Sequence, residues 1–254
     1  MDQRNLAVRQ FGNVASNYLS STVHASGADL EHLNALAQAL RPARALDVGC
    51  GAGHVSFALA RAGVAKVIAY DPSAPMLAVV EQESNARGYA AIESARGPAE
   101  KLPFDDASFD LVVTRFSAHH WSSVATAIGE IARVLAAGGR LIVIDVVSPE
   151  SPLLDTTLQT LEVLRDMSHV RNYRLSEWLS MLSGHGMTDT TSHGWKLSLE
   201  FSSWVKRIGT PDRRVQALYA MIDDLPTEAR EYFAFTAERS FKIDAVWLES
   251  LKSA

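Results

Sequence analysis

The sequence has little of what several common classes of protein require. It contains one cysteine, Cys50, which excludes an internal disulfide bond and any zinc site built from several cysteines. Apolar residues never approach the roughly 18 in succession that a membrane-spanning helix needs. The opening segment, MDQRNLAVRQFG, lacks the apolar stretch of a signal peptide. We therefore expect a protein of the reducing cytoplasm with no membrane span.

Positive charge is scarce as well. The 254 residues include 24 Lys and Arg against 29 Asp and Glu, which gives a formal net charge of -5. Surfaces that bind nucleic acid carry clustered basic residues, and the sequence has no such cluster. Because 47% of the residues are hydrophobic, the chain can bury a sizeable core. The composition favours a globular protein whose partners are not nucleic acids.

Strand and helix patterns alternate between residues 43 and 147. Strands are predicted in ARALDV, AKVIAYD, AAIESAR, FDLVVTR and RLIVIDVV. Helices are predicted in HVSFALARAG, in SVATAIGEIARVLAAGG, and in APMLAVVEQESNARG, which Ser73 would cap and Gly88 would end. Such alternation predicts an α/β fold, with a doubly wound parallel sheet and helices on both faces.

The two ends of the chain carry other patterns. The first forty residues are typical of helices, and so are residues 151–186. TDTTSHGWKLSLEF alternates as a strand does, residues 202–237 again favour helix, and SFKIDAVWLESL alternates near the end.

A glycine-rich turn follows the first predicted strand. In DVGCGAG, Gly49, Gly51 and Gly53 take every second position, which lets the backbone turn sharply and approach a ligand closely. Ligands of open parallel sheets bind beyond the carboxyl ends of the strands. The G-x-G-x-G spacing differs from the G-x-G-x-x-G pattern of dinucleotide sites. Asp47, at the end of the strand, would repel a pyrophosphate and attract a cation.

A second acid ends the next strand. Asp71 follows Gly53 by 18 residues, where an acid binds ribose hydroxyls in nucleoside sites. A nucleoside that carries a cationic amino acid is S-adenosylmethionine, which the two acids together predict as the cofactor. The alternative is that Asp47 and Asp71 each cap a following turn.

Four segments resemble successive motifs of one family. ALDVGCGAG, YDPSAPML, LPFDDASFDLVV and EIARVLAAGGRLIVID are similar to those of class I S-adenosylmethionine-dependent methyltransferases, above all the ubiquinone/menaquinone-biosynthesis-like (type 11) branch. The resemblance is specific over residues 43–147 and looser towards both ends. It implies a Rossmann-like, seven-stranded sheet whose last strand is antiparallel, with helical insertions. It also implies one domain over 1–254, made of a helical lid (1–40), a cofactor-binding core (41–148) and a substrate-side region (149–254).

The resemblance also implies which residues contact the cofactor. Asp47, Gly49, Cys50, Gly51 and Gly53 would surround its methionine part, Asp71 its ribose, and Pro72, Ser73 and Met76 its adenine. Pro98 replaces an aspartate that commonly bonds the adenine, so that contact is expected from the Ala99 backbone or from Glu100. Arg115 would bind the methionine carboxylate or a substrate acid, or else form a surface salt bridge.

The segment RFSAHHW follows the fourth predicted strand on the side of the cofactor. A histidine has an ordinary pKa near 6.5, so His119 or His120 can accept a proton if the acceptor must lose one. The alternative is that the pair packs and caps the next helix. Two adjacent histidines cannot both bind one metal ion, and no third ligand is evident, so we expect no metal site.

Further residues are predicted around the acceptor. Phe11 and Tyr18 would close over the cofactor, or else pack as ordinary helix residues. The acceptor pocket would be shaped by Phe116, Trp121, His169, Arg171 and Tyr173, although HVRNYR is also typical of a solvated connection between helices.

These observations predict S-adenosylmethionine-dependent methyl transfer to a small molecule through an oxygen, carbon or nitrogen atom. A quinone precursor and a carrier-bound malonyl ester are candidate acceptors. The alternatives are a catalytically silent protein that binds S-adenosylmethionine and, against Asp47 and the glycine spacing, a nicotinamide-dependent oxidoreductase. A nucleic-acid methyltransferase conflicts with the acidic balance and with TRFS where N/D-P-P-Y/F is expected. Both a monomer and a homodimer remain open.

Overall fold

The computed structural model of the protein describes residues 3–12 and 27–253, except for the side chains of Arg4 and Phe11. The strands are β1 Arg44–Val48, β2 Lys66–Asp71, β3 Ile92–Arg96, β4 Phe109–Arg115, β5 Leu135–Val147, β6 Met187–Leu199 and β7 Phe241–Lys252. The helices are α1 Gln3–Gly12, α2 Ala28–Leu40, α3 His54–Arg61, α4 Ala74–Arg87, α5 Val124–Val134, α6 Pro152–Arg165, α7 Leu175–Gly184, α8 Phe201–Ile208, α9 Asp212–Asp223 and α10 Thr227–Tyr232.

The seven strands form one sheet in the order β3-β2-β1-β4-β5-β7-β6. The strands from β1 to β5 pair in parallel, and β7 inserts antiparallel between β5 and β6, with Ile144 opposite Trp247. The Rossmann-like fold with one antiparallel strand, predicted above, is confirmed. The strand order reverses between β1 and β4, so a cleft opens there at their carboxyl ends.

Both faces of the central strands are buried. Along β4, Val112 packs into one apolar cluster with Ile128 and Ile131 of α5. Its neighbours Leu111 and Val113 pack on the other face, in a cluster that includes residues of α2 and α3. Because successive strand residues point to opposite faces, a strand covered on both sides needs apolar residues throughout. This is why the FDLVVTR run identified a central strand.

One boundary differs from the prediction. The helix expected to reach Gly139 ends at Val134, and Leu135 already pairs with Phe109 as the first residue of β5. Gly138 has a φ of 72°, which a right-handed helix cannot contain. Pairing with β4 therefore outweighs the helix propensity of the two alanines. The helical region after β6 consists of α8, α9 and α10, and Pro211 and Pro226 each precede one of its helices.

Within the described ranges, no helix is long and apolar enough to cross a membrane.

Candidate cofactor and acceptor site

A cleft of about 1090 Å³, partly open to solvent, lies at the carboxyl ends of β1, β2 and β4. Ala7 and Val8 of α1 border it on one side. Fourteen of the predicted site residues line it: Asp47, Gly49, Cys50, Gly51, Asp71, Pro72, Ser73, Met76, Ala99, Glu100, Arg115, Phe116, His120 and Trp121.

The three glycines of the first loop have different surroundings. All three have a positive φ, between 50° and 90°. A Cβ at Gly49 would overlap the Ser117 hydroxyl, whereas one at Gly51 would have no atom of the described residues within 4 Å. At Gly53 a Cβ would lie 2.9 Å from the Phe57 ring. Gly53 packs against α3 and α4 and does not line the cleft, so its expected contact with the cofactor stays a prediction.

Asp47 is fully buried at the end of β1. Its Oδ2 accepts hydrogen bonds from the backbone N–H of Ser56 at 3.0 Å and from the Ser56 hydroxyl at 2.6 Å. Its Oδ1 is buried and has no hydrogen-bond partner in the described part of the chain. Burial raises the pKa of Asp47 to about 7, against the lowering effect of the two bonds from Ser56. A cation close to Oδ1 would favour the ionised form.

Asp71 connects the two loops of the cleft. Its Oδ2 accepts from the Gly51 N–H at 3.0 Å, and its Oδ1 accepts from the Ser73 N–H at 2.8 Å. Burial raises its pKa to about 6, although both backbone bonds act in the opposite direction. The alternative in which the two acids bond nearby backbone N–H groups therefore describes the structure in part, since both acids also line the cleft.

Ser73 differs from its prediction. It stands at the N-cap position of α4, but its hydroxyl makes no capping bond. The hydroxyl is buried, and nothing in the described residues hydrogen-bonds to it. The N–H of Ser73 already binds Asp71, and the side chain belongs to the cleft wall. Ser73 therefore offers a hydroxyl group to a ligand.

Glu100 is anchored at the mouth of the cleft. Its Oε1 accepts from the Ser122 N–H at 2.7 Å and from the Ser123 N–H at 3.1 Å. Ser123 is the N-cap residue of α5. The Glu100 carboxylate therefore holds the start of this helix, which the sequence did not predict.

Arg115 belongs to a buried ion pair. Its Nε lies 2.5 Å from Oδ2 of Asp29 on α2, and the two side chains are 5% and 11% exposed. The guanidinium also lies over the ring of Phe116, 4.8 Å from its centre. The surface-salt-bridge alternative is therefore wrong. Phe116 has a φ of 49°, a conformation that costs free energy in a residue other than glycine.

The two adjacent histidines occupy a single 3₁₀ turn, Ala118–His120, before α5. Asp145 on β5 accepts from the Ala118 N–H at 2.9 Å and contacts His119 Nδ1 at 2.6 Å. Burial alone would lower the pKa of His119, but the nearby Asp145 carboxylate turns the net shift upward. Burial and the neighbouring His119 lower the pKa of His120 to about 4. His120 is therefore neutral near pH 7 and lines the cleft.

A third histidine lies beside this pair. The ring of His169 is centred 5.7 Å from that of His119 and 6.4 Å from that of His120. Among residues 3–12 and 27–253, however, no group of three or more His, Cys, Asp or Glu side chains has an arrangement that could hold a metal ion.

Comparison with known proteins identifies the family. The sequence profile described as "Methyltransferase domain" matches residues 46–143. The chain is 45% identical over 206 residues to the uncharacterized protein YafE of Escherichia coli K12, and the aligned region covers 81% of this chain and 99% of YafE. It is 35% identical over 247 residues to the uncharacterized methyltransferase YcgJ of Bacillus subtilis, which covers 95% and 97% of the two chains. The chain belongs to the S-adenosylmethionine-dependent methyltransferases.

A solved structure and a further relative agree with the assignment of the chain to this family. The crystal structure of YcgJ matches with a TM-score of 0.83 at 34% identity, over 88% of this chain and 99% of YcgJ. A demethylmenaquinone methyltransferase of Thermus thermophilus is 35% identical over 144 residues, 55% of this chain and 65% of that protein. The chain is therefore similar to the ubiquinone/menaquinone-biosynthesis-like members of this family, and the cofactor of the family is S-adenosylmethionine.

Some residues predicted for the acceptor side of this methyltransferase lie elsewhere. Arg171 bonds Asp155 of α6 at 3.1 Å, and its guanidinium lies 5.7 Å from the centre of the Tyr173 ring. Neither residue lines the cleft, so their place at the acceptor stays a prediction. His169 does not line it either but packs behind His119 and His120. The Phe11 side chain and Tyr18 lie outside the described residues.

Other residues of the methyltransferase site escaped the sequence analysis. Asp145 had a visible signal, since it is the one acid in the apolar strand RLIVIDVV. Ser117 hydrogen-bonds the indole N–H of Trp121 at 3.1 Å and also faces Gly49. The residues of the cleft wall that carried no recognisable pattern are Ala7, Val8, Ala52, His54, Val55, Tyr70, Gly97 and Ser122.

Proposed function

We propose that this protein transfers the methyl group of S-adenosylmethionine to a small-molecule acceptor bound in the cleft beside His120. One observation carries the proposal: Oδ1 of Asp47 is a buried carboxylate oxygen without a partner among the described residues, at the loop of Gly49 and Gly51. A buried carboxylate is costly unless a cation or a donor reaches it. The ammonium group of the methionine part supplies both.

The residues present fit the rest of the cofactor. Arg115 lines the cleft near the methionine end and suits a carboxylate. Asp71 and the Ser73 hydroxyl, to which no described residue hydrogen-bonds, suit the ribose hydroxyls. Because Oε1 of Glu100 already binds two backbone N–H groups, we assign the polar adenine contact to the Ala99 backbone. Pro72 and Met76 supply apolar surface for the ring.

When bound, the cofactor supplies an electrophilic methyl group on a positively charged sulfur, which becomes a neutral thioether after transfer. The protein therefore has to align the acceptor and exclude water. Phe116 and Trp121 provide apolar surface, and α1 contributes Ala7 and Val8 to the same cleft. We assign α1 the role of a lid on this basis.

His120 is the proposed general base for an acceptor that must lose a proton. The bound cofactor would supply the electrophilic methyl group, and His120 would take up the proton that the acceptor atom loses. To accept that proton His120 would have to be neutral. Burial and the neighbouring His119 lower its pKa, which leaves it neutral near pH 7 but makes it a weak base until a bound acceptor changes its surroundings. His119, which the Asp145 carboxylate favours in its charged form, is the weaker candidate.

Two measurements test this function. Isothermal titration should detect binding of S-adenosylmethionine and of S-adenosylhomocysteine but not of a nicotinamide dinucleotide. Incubation with methyl-labelled S-adenosylmethionine and a bacterial metabolite extract, followed by mass spectrometry, should yield a labelled small molecule. Quinone precursors and carrier-bound malonyl esters should be supplied separately. Binding without labelled product from any of these sources would support the catalytically silent alternative.

A further inference from the structure

The loop between α6 and α7 contacts Nδ1 of His120 through the backbone carbonyl and the hydroxyl of Ser168. The Ser168 oxygen lies 3.1 Å from Nδ1 of His120, and the Ser168 hydroxyl lies 3.4 Å from the same nitrogen. Asp166 holds this serine from behind, since its Oδ1 accepts from the Ser168 N–H at 2.8 Å and from the hydroxyl at 2.7 Å. Asp166 and Ser168 are 1% and 0% exposed.

These contacts determine which nitrogen of His120 carries the proton. A carbonyl oxygen can only accept, so Nδ1 of His120 must donate to Ser168. The Ser168 hydroxyl gives its own proton to Asp166 and therefore also presents a lone pair to Nδ1. A neutral imidazole has one N–H, so Nε2 is left unprotonated. In water the opposite tautomer, with the proton on Nε2, is the favoured form of a histidine side chain.

Charged and titratable groups surround His120 from several elements. His119 lies in the same turn, with its ring centred 4.3 Å away, and it is paired with Asp145 of β5. Asp166 and His169 lie on the α6–α7 loop. Nδ1 of His120 hydrogen-bonds to the Ser168 group. The loop therefore contributes to the orientation of the imidazole.

We propose that Asp166 and Ser168 are positioning residues that hold His120 in the tautomer whose Nε2 can accept a proton. The significance of this tautomer for catalysis rests on the proposed function, whereas the tautomer itself does not. Asp166 acts at a distance, because its carboxylate fixes the turn that aims the Ser168 carbonyl at Nδ1. In metal sites and in catalytic triads the partner of one ring nitrogen sets the state of the other, and the same principle applies here.

The test is nitrogen NMR of the histidine side chains in the full-length, cofactor-free protein near pH 7. In the wild type, His120 should show a protonated Nδ1 and an unprotonated Nε2. Asp166→Ala removes both bonds to Ser168, so it should convert His120 wholly or mainly to the Nε2–H tautomer. Asp166→Asn keeps an Oδ1 acceptor for both bonds and should retain the wild-type tautomer. Ser168→Ala keeps the carbonyl and the N–H and should also retain it.

The signals of His119, which is bonded to Asp145, report in the same spectra whether each variant is folded. An Nε2–H tautomer of His120 in the wild type would overturn the proposal, and this outcome does not depend on any variant. A folded Asp166→Ala protein that keeps the Nδ1–H tautomer, or a folded Asp166→Asn protein that loses it, would also contradict it. No methyl transfer by a wild-type protein with the expected tautomer would refute the proposed function and leave this positioning role intact.

Discussion

At the scale of single residues, the proposed binding of the cofactor ammonium group depends on the carboxylate of Asp47. Asp47→Asn removes the charge that faces the proposed ammonium group, so the affinity for S-adenosylmethionine should fall about 10- to 100-fold at pH 8, the size of a lost charged hydrogen bond. Because burial raises the pKa of Asp47 to about 7, wild-type affinity should fall roughly tenfold from pH 8 to pH 6 as this acid takes up a proton. The variant should show a flatter dependence. Isothermal titration at both pH values measures this.

Asp110→Asn is the matched control for this substitution. Asp110 is an exposed acid near the start of β4, at the end of the strand away from the cleft, and its Oδ2 accepts from the Ala43 and Arg44 N–H groups. The Asp110→Asn variant should leave the affinity and its pH dependence unchanged. Equal pH dependence in the wild type and in Asp47→Asn would show that Asp47 does not face the cation.

His120 permits a separation of chemistry from cofactor binding. His120→Ala should lower turnover of an acceptor that must lose a proton by at least about 100-fold, the usual contribution of a general base. The dissociation constant of S-adenosylmethionine should change less than about threefold, since the proposed cofactor contacts lie elsewhere. The readout is initial rate with the labelled acceptor identified from extract. His193→Ala, on the exposed strand β6, serves as control, and unchanged turnover of His120→Ala would remove this residue from catalysis.

At the scale of elements, the glycine loop contains a matched pair of positions. Gly49→Ala and Gly51→Ala both place alanine at a positive φ, which costs about 1–2 kcal/mol. Only the first also drives its methyl group into Ser117, so Gly49→Ala should lower the melting temperature more. Gly51→Ala places its methyl group in open space at the cleft and should weaken cofactor binding with the smaller loss of stability. Thermal unfolding and titration of both variants decide this, and equal melting temperatures would contradict it.

Helix α1 and the α6–α7 loop are also coupled. The side-chain amide of Gln3 donates to the Ser168 carbonyl, which is the oxygen that receives His120 Nδ1. Gln3→Ala and Asp166→Ala should therefore each speed hydrogen exchange in the peptide that covers residues 3–12. Their effects should combine to less than the sum, because both disturb one contact. Asp166→Asn should exchange as the wild type does, and fully additive effects would disprove the coupling.

The elements were predictable to different degrees. The apolar run of β4 and the acids Asp47 and Asp71 directly follow local patterns, so sequence alone located them. The antiparallel place of β7 came from family resemblance, since alternation in FKIDAVWLESL does not specify a partner strand. The contacts of His119 with Asp145 and of His120 with Ser168 join residues 26 and 48 positions apart. No local pattern encodes such pairs, which depend on how loops meet above the sheet.

At the scale of the whole molecule, the buried carboxylate of Asp47 lowers the stability of the cofactor-free protein, and the same group is proposed to bind the ammonium group of the cofactor. Asp47 has a pKa of about 7 in the folded protein against 3.8 for an unperturbed aspartate. An acid whose folded pKa is raised contributes stability that is fully present below 3.8 and is lost as pH rises to about 7. The other buried titratable groups, such as Asp71 and Glu162, shift as well, but they are common to the wild type and an Asp47 variant and largely cancel in a comparison.

The cofactor-free Asp47→Asn protein should therefore be more stable than the wild type at pH 8, by up to about 4 kcal/mol. The advantage should shrink towards zero at pH 4, where Asp47 is neutral in the folded state. Urea unfolding at the two pH values measures both differences. Saturating S-adenosylmethionine should stabilise the wild type more than the variant at pH 8, since the tighter complex gains more free energy from the same ligand concentration. Equal unfolding free energies of the two cofactor-free proteins at pH 8 would mean that ionisation of the buried carboxylate costs no stability. The proposal that Asp47 binds a cation would then fail.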